Sequence, residues 1–131
     1  MIYAHDISHG AKHDRAAKLV EHLWTTGEGV LSTQVLQELC INLRRKIARP
    51  VSPHDVRRII EDYLNWEVFV NTPESVLQAL EIEAQHKISF WDALIIQAAE
   101  SSGAAVLYSE DLASDQTYGA VRVVNPFATT A

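Results

Sequence analysis

Apolar side chains recur every three or four residues in several stretches of this chain, a spacing that predicts amphipathic helices. The first predicted helix covers residues 11–24, and the run Thr26-Gly27-Glu28-Gly29 breaks it. The second follows residue 33 and fades at Arg49-Pro50. Capping residues followed by proline or an acid predict three more, starting at Ser52-Pro53-His54-Asp55, Thr72-Pro73-Glu74 and Ser89-Phe90-Trp91-Asp92. The last two are expected to end near His86-Lys87 and at Ser102-Gly103.

Short apolar runs between these helices predict strands at 30–33, 66–70, 105–108 and 121–124. Because strands alternate with helices, we expect an α/β fold with a parallel sheet of about four to five strands and helices on both faces. The run 105–108 is almost wholly apolar, as expected of a strand covered on both faces. Ile2-Tyr3-Ala4 fits the tail of a further strand, so the first strand of this sheet is expected to be truncated.

Composition and length favour one globular domain over residues 1–131. The chain is 47% hydrophobic and 21% charged, which excludes a disordered protein. No apolar run approaches the roughly 20 residues that span a bilayer, and the N-terminus lacks the pattern of a signal peptide, so no membrane association is expected. The single cysteine, Cys40, cannot form an internal disulfide, which fits a reducing compartment, and a cytoplasmic location is expected.

The charge of the chain is unevenly distributed. Its net charge of −6 argues against a protein that coats nucleic acid by bulk electrostatics. Residues 44–58 nevertheless hold six basic side chains and one acid. Within this segment Arg44, Arg45 and Arg49 are candidates for contacts with phosphate groups, since arginine binds phosphate oxygens in a bidentate manner. The alternative is a pair of helices with solvated basic faces.

Three acids are predicted to lie near the carboxyl ends of the strands, where ligands bind in open parallel sheets. They are Glu38 on the helix after strand 30–33, Asp92 in the first turn of the helix that begins at Ser89, and Asp111 just after strand 105–108. Gathered carboxylates repel one another unless a cation joins them, and oxygen ligands suit Mg²⁺ or Mn²⁺. Such an ion supports phosphodiester hydrolysis. The alternatives are a capping box for Asp92, a solvated helix position for Glu38 and an ordinary loop position for Asp111.

Five segments carry a more specific signal in combination: Phe90–Ile95, Val106–Leu112, Val123–Phe127, Val30–Glu38 and Tyr3–Asp6. Together they resemble PIN-domain ribonucleases, in particular the toxins of bacterial type II toxin–antitoxin pairs, over nearly the whole chain. The resemblance implies a Mg²⁺ or Mn²⁺ site built from acids, cleavage of RNA, a homodimer, and a small antitoxin protein that blocks the site.

The resemblance also assigns roles to individual residues. Glu38, Asp92 and Asp111 match the second, third and fourth acidic positions of the family and are the expected metal-binding, catalytic residues. Ser109 matches a supporting hydroxyl residue two positions before the last acid. Asp115 is a possible outer-shell acid of the same metal site.

The chain departs from the family pattern at its start. The family's first strand ends in an Asp-x-Asn motif that carries its first acid. This sequence begins at Met1, after the position where that motif is expected. Asp6 is not its equivalent, because it lies beyond Tyr3 on the far side of the strand. Either the start codon is assigned too far downstream, or the shortened chain is the product and has a weakened metal site. The second case predicts an inactive domain that binds RNA or an antitoxin.

Overall fold

The computed structural model describes residues 11–45, 50–109, 112 and 116–127. Predictions that involve residues 1–10, Arg49, Asp111 or Asp115 therefore lie outside the described residues. The chain divides into two compact units, Met1–Val68 and Phe69–Ala131. The described residues contain five helices: α1 (Ala11–Thr26), α2 (Thr33–Arg45), α3 (Pro53–Tyr63), α4 (Pro73–His86) and α5 (Phe90–Ser101). The described strands are β1 (Val30–Ser32), β2 (Glu67–Phe69), β3 (Val106–Tyr108), β4 (Thr117–Tyr118) and β5 (Val121–Val124).

The helix boundaries follow the local signals in the sequence. Ser52, Thr72 and Ser89 are the N-caps of α3, α4 and α5, and each side chain accepts a hydrogen bond from a backbone N–H of the first turn. Gly27 ends α1 with φ +70, and its N–H donates to the Leu23 carbonyl at 3.0 Å. The predicted helix starts and the ends of α1, α4 and α5 are therefore confirmed, whereas the predicted fading of α2 toward Arg49 lies outside the described residues.

The first unit has a core in which α2 and α3 pack together with the β1–β2 sheet. Its buried side chains are Leu31, Leu36, Leu39, Leu43, Val56 and Tyr63. An aromatic trio lies beside this core: the rings of Trp24 and Trp66 meet edge-on with centroids 5.4 Å apart, and Trp66 and Tyr63 meet edge-on at 5.2 Å. Burial, with a smaller contribution from Asp62, raises the pKa of Tyr63 to about 12.

The second unit packs α4 against α5 and carries a three-stranded sheet of order β3-β5-β4. β3 and β5 are parallel, with Val106 opposite Arg122 and Tyr108 opposite Val124. Its two clusters of buried apolar side chains consist of Ile96, Leu112, Tyr118 and Val123, and of Ala79, Ala93 and Leu94.

The predicted α/β class is confirmed in its mixed composition, but the described strands form two small sheets, and the larger parallel sheet stays a prediction. The sequence reasoning missed β4, a two-residue strand antiparallel to β5.

The expectation that residues 105–108 are covered on both faces was wrong, because Val106 is 38% and Tyr108 44% exposed. The Ala105 carbonyl and the Ser109 N–H both bond to β5. Alternate residues of a strand direct their backbone N–H and C=O groups to the same side. The backbone groups of Val106 and Tyr108 therefore point away from β5, toward the other edge of β3.

Candidate functional site

Glu38 is positioned by the junction between β1 and α2. The hydroxyl of Ser32, the last residue of β1, accepts a hydrogen bond from the Val35 N–H at 3.2 Å and so satisfies a free donor at the helix start. α2 then buries Leu36, Leu39 and Leu43. This fixes the helix by one face and leaves Glu38, about one and a half turns from the start, exposed to solvent.

A buried amide holds the Glu38 carboxylate. Gln34 lies one helical turn before Glu38 and is only 4% exposed. Its Nε2 atom donates to the Glu38 Oε1 atom at 3.3 Å. The predicted alternative for Glu38, a solvated position, is right about its exposure, but the side chain has a specific partner inside the first unit.

Asp92 occupies the first turn of α5. Its N–H donates to the Ser89 hydroxyl at 3.1 Å. At the start of α4, Ser75 returns a hydrogen bond to the Thr72 N–H and completes a capping box; the same reciprocal bond is not formed between Asp92 and Ser89. Within the part of the chain that is described, the half-buried Asp92 carboxylate has no hydrogen bond or ion pair. Its position near the helix N-terminus favours a negative charge there.

The end of β3 is shaped by Ser109. The Ser109 N–H donates to the Val124 carbonyl at 3.0 Å, and its hydroxyl accepts from the Leu112 N–H at 3.4 Å. Leu112 is buried in the second unit. Ser109 therefore links the end of β3 to Leu112, the residue that follows Asp111 in the sequence. Asp111 and the possible outer-shell acid Asp115 themselves lie outside the described residues.

The candidate phosphate-binding arginines occupy different surfaces of α2. Arg45 follows Glu38 by seven residues, so the two side chains project within about 20° of each other and about 10 Å apart along the helix. Arg44 projects about 120° away from Glu38. It lines an open groove of about 430 Å³ between α2 and α3, together with Cys40, Pro53, Val56, Arg57, Ile60 and Glu61. Arg49 lies outside the described residues.

The predicted acids are divided between the two units. Glu38 belongs to the first unit, whereas Asp92 and Ser109 belong to the second. Among the residues that are described, no group of three or more His, Cys, Asp or Glu side chains could hold a metal ion. The convergence of Glu38, Asp92 and Asp111 on one cation stays a prediction. The donors themselves fit a hard cation, since they are carboxylates and the oxygens of Asp92 are not engaged by any described residue.

Sequence reasoning missed the role of Gln34 beside Glu38. Gln34 lies one helical turn before the acid, on the side of α2 opposite the leucine stripe, so the hydrophobic pattern gave no signal that it is buried. The aromatic trio was also missed as a unit. The rings of Trp24 and Trp66 both meet the ring of the buried Tyr63, although Trp24 remains 41% exposed.

Comparison with known proteins supplies the family. The model of the family described as PIN domain matches residues 1–119 of this chain. No curated protein matches it. PIN domains are generally nucleases and typically use divalent metal ions. None of the helices in the described ranges is long and apolar enough to cross a membrane. Because the family match covers most of the sequence, including Glu38 and Asp92, this chain belongs to the PIN domain family.

Proposed function

We propose that this protein is a Mg²⁺- or Mn²⁺-dependent endoribonuclease in which Glu38, Asp92 and Asp111 hold the metal ion. The observation that carries the proposal is the Asp92 carboxylate. It lies in the first turn of α5 in a chain of the PIN domain family, and no described residue engages it in a cap or an ion pair. A half-buried carboxylate that no described residue engages is suited to binding a cation.

The bound ion would supply Lewis-acid stabilisation of the scissile phosphate and an activated water. Residues of the chain itself would hold the acids in place and contact the RNA. Gln34 holds Glu38 by a hydrogen bond, and the cap from Ser89 fixes the turn that carries Asp92. Arg45 lies on the Glu38 side of α2, where its guanidinium is available to pair with a phosphate of the same RNA strand. Ser109 accepts a hydrogen bond from Leu112, the residue that follows Asp111 in the sequence.

Cleavage of RNA by the purified chain tests this function. We expect cleavage of a labelled RNA with Mg²⁺ or Mn²⁺, and none after chelation of the metal. Asp92→Asn keeps the shape of the side chain but removes its charge, so it should abolish cleavage. Glu81→Gln is the matched control, because it removes an exposed acid from α4 in the same unit and should leave the rate unchanged. Full cleavage by Asp92→Asn would refute the assignment.

The biological role that we propose is that of a toxin in a toxin–antitoxin pair. On this proposal the single domain 1–131 acts in the cytoplasm on RNA, forms a homodimer, and is inhibited by a small antitoxin protein. The motif resemblance described above and membership of the PIN domain family support it. Expression in bacteria gives a direct test: the parent chain should arrest growth, whereas Asp92→Asn should not. Equal growth with both chains would contradict the toxin role.

A second candidate function is a binding module without catalysis. The groove between α2 and α3 favours it, because the apolar Val56 and Ile60 and the basic Arg44 line it, a combination that suits a protein segment with an acidic side chain. Arg57 lines the same groove but is paired with Glu61, with its Nε atom 2.7 Å from Glu61 Oε1. Calorimetric titration with Mn²⁺ separates the two candidates. No Mn²⁺ binding, together with retained binding of RNA or of a partner, would favour the module over the nuclease.

A further inference from the structure

Gln34 is a buried polar residue of the first unit. α2 has four buried side chains, and the other three are leucines: Leu36, Leu39 and Leu43. Gln34 is as inaccessible to water as these neighbours, with 4% of its surface exposed. Burying an amide costs free energy unless its hydrogen bonds are made, and a leucine at this position would avoid that cost. Gln34 also lies about 140–180° around α2 from these leucines, so packing in their cluster does not explain a glutamine here.

One hydrogen bond of Gln34 points outward. Its Nε2 atom donates to the Oε1 atom of Glu38 at 3.3 Å, one turn further along the helix. Glu38 is exposed, so the bond runs from a fixed, buried amide to a carboxylate at the surface. An exposed glutamate samples several rotamers, and ordering such a side chain costs conformational entropy. A buried donor on Oε1 restricts those rotamers before any ligand arrives and leaves Oε2 available.

We infer that Gln34 is a positioning residue: it orients the Glu38 carboxylate so that Oε2 binds the divalent cation. This inference rests on the proposed function, since it needs Glu38 as a metal ligand. Ligating carboxylates are generally held by hydrogen bonds from a second layer of residues, and removing such a partner weakens metal binding. Gln34 would act through Glu38 and not touch the ion or the RNA.

Titration of the full chain with Mn²⁺ by calorimetry tests the inference. Gln34→Leu keeps a side chain of similar size at a buried position but removes the donor, so we expect the affinity for Mn²⁺ to fall by about 10-fold. Gln37→Leu is the matched control. It makes the same chemical change on the same helix, but Gln37 is exposed and adjacent residues of a helix do not face each other. Its affinity for Mn²⁺ should equal that of the parent.

Thermal unfolding separates positioning from a structural role. If Gln34 served only the fold, Gln34→Leu would change the melting temperature and leave Mn²⁺ affinity as in the parent, and that result would overturn the inference. We expect weaker metal binding in Gln34→Leu, whatever the change in its melting temperature.

Nuclear magnetic resonance gives a readout that does not depend on catalysis. The side-chain NH₂ resonances of Gln34 should move when Mg²⁺ is added to the parent chain, and Glu38→Gln should move them without metal and abolish the Mg²⁺ response. If neither Mg²⁺ nor Glu38→Gln shifts these resonances, the hydrogen bond from Gln34 to Glu38 is not formed in solution.

The two proposals fail in different ways. If the parent binds Mn²⁺ and Glu38→Gln weakens that binding while Gln34→Leu does not, the positioning role is refuted and the nuclease proposal stands. If neither Glu38→Gln nor Asp92→Asn changes the affinity for Mn²⁺, the metal site itself is refuted, and the positioning role with it.

Discussion

Gly29 lies where the chain enters β1, and the side chain of Trp66 covers it. A Cβ atom added at Gly29 would lie 2.5 Å from Cε3, 2.7 Å from Cζ3 and 2.8 Å from Cδ2 of the Trp66 ring. These distances are far below van der Waals contact, so in Gly29→Ala either the ring or the backbone must move. The contact is with the face of a rigid ring, which has no flexible end that can swing aside.

The size of the effect follows from what holds the Trp66 ring. It meets the rings of Trp24 and Tyr63 edge-on, with centroids 5.4 and 5.2 Å away, and Tyr63 is 1% exposed. The ring cannot retreat without disturbing these contacts. Overpacking of this kind costs about 1–3 kcal/mol, so we expect Gly29→Ala to lower the free energy of unfolding by about 2 kcal/mol.

Urea unfolding followed by circular dichroism measures this loss. With a slope of about 2 kcal/mol per molar urea, the midpoint should fall by about 1 M. Gly27→Ala is the informative comparison, because Gly27 has φ +70 and open space around its Cβ position. Its cost, about 1 kcal/mol, would come from the left-handed backbone alone. If Gly29→Ala unfolds at the parent's midpoint, the packing around Trp66 described here is wrong.

Three further predictions concern caps, pH and RNA binding. Ser89→Ala removes the hydrogen bond to the Asp92 N–H and should cost about 1 kcal/mol in urea unfolding, whereas an unchanged midpoint would refute the cap. The pKa of Tyr63 is raised from 10.0 to about 12 in the folded chain, so the unfolded chain loses this proton at lower pH. The contribution of Tyr63 to stability should be intact below pH 10 and decline between pH 10 and about 12. Tyr63→Phe should remove this part of the decline. Arg45→Ala should weaken RNA binding more than Arg44→Ala in a filter-binding assay, because Arg45 projects on the Glu38 side of α2; equal effects would contradict this geometry.

The helices could be predicted well from the sequence because their ends are determined locally. Ser52-Pro53, Thr72-Pro73 and Ser89 each provide a cap within one turn of the residues they stabilise, and the structure forms all three. Gly27 ends α1 for the same reason, since glycine adopts a positive φ without strain.

Strand pairing could not be predicted in the same way, because it depends on partners distant in the sequence. β4 has only two residues, and its pairing with β5 follows from the turn at Gly119, which has φ +59. The apolar run at β3 indicated a strand correctly but not its coverage, since the exposure of Val106 and Tyr108 is decided by which elements pack there.

The candidate site was predictable in its residue types and not in its contacts. The positions of Glu38 and Asp92 near the starts of two helices indicated them as candidates. The bond from Gln34 and the one-way cap at Ser89 depend on side-chain rotamers that no spacing rule gives. The charge pattern grouped Arg44 with Arg45, whereas their helix positions direct them to different surfaces.

The most direct test of the central claim is paramagnetic broadening of the carboxylate resonances of Glu38 and Asp92 by Mn²⁺ in the intact chain. If one ion is shared, both resonances should broaden together at the same low Mn²⁺ concentration, and Asp92→Asn should reduce the broadening at Glu38. Broadening at only one of the two acids, or broadening at Glu38 that is unaffected by Asp92→Asn, would contradict a shared metal site.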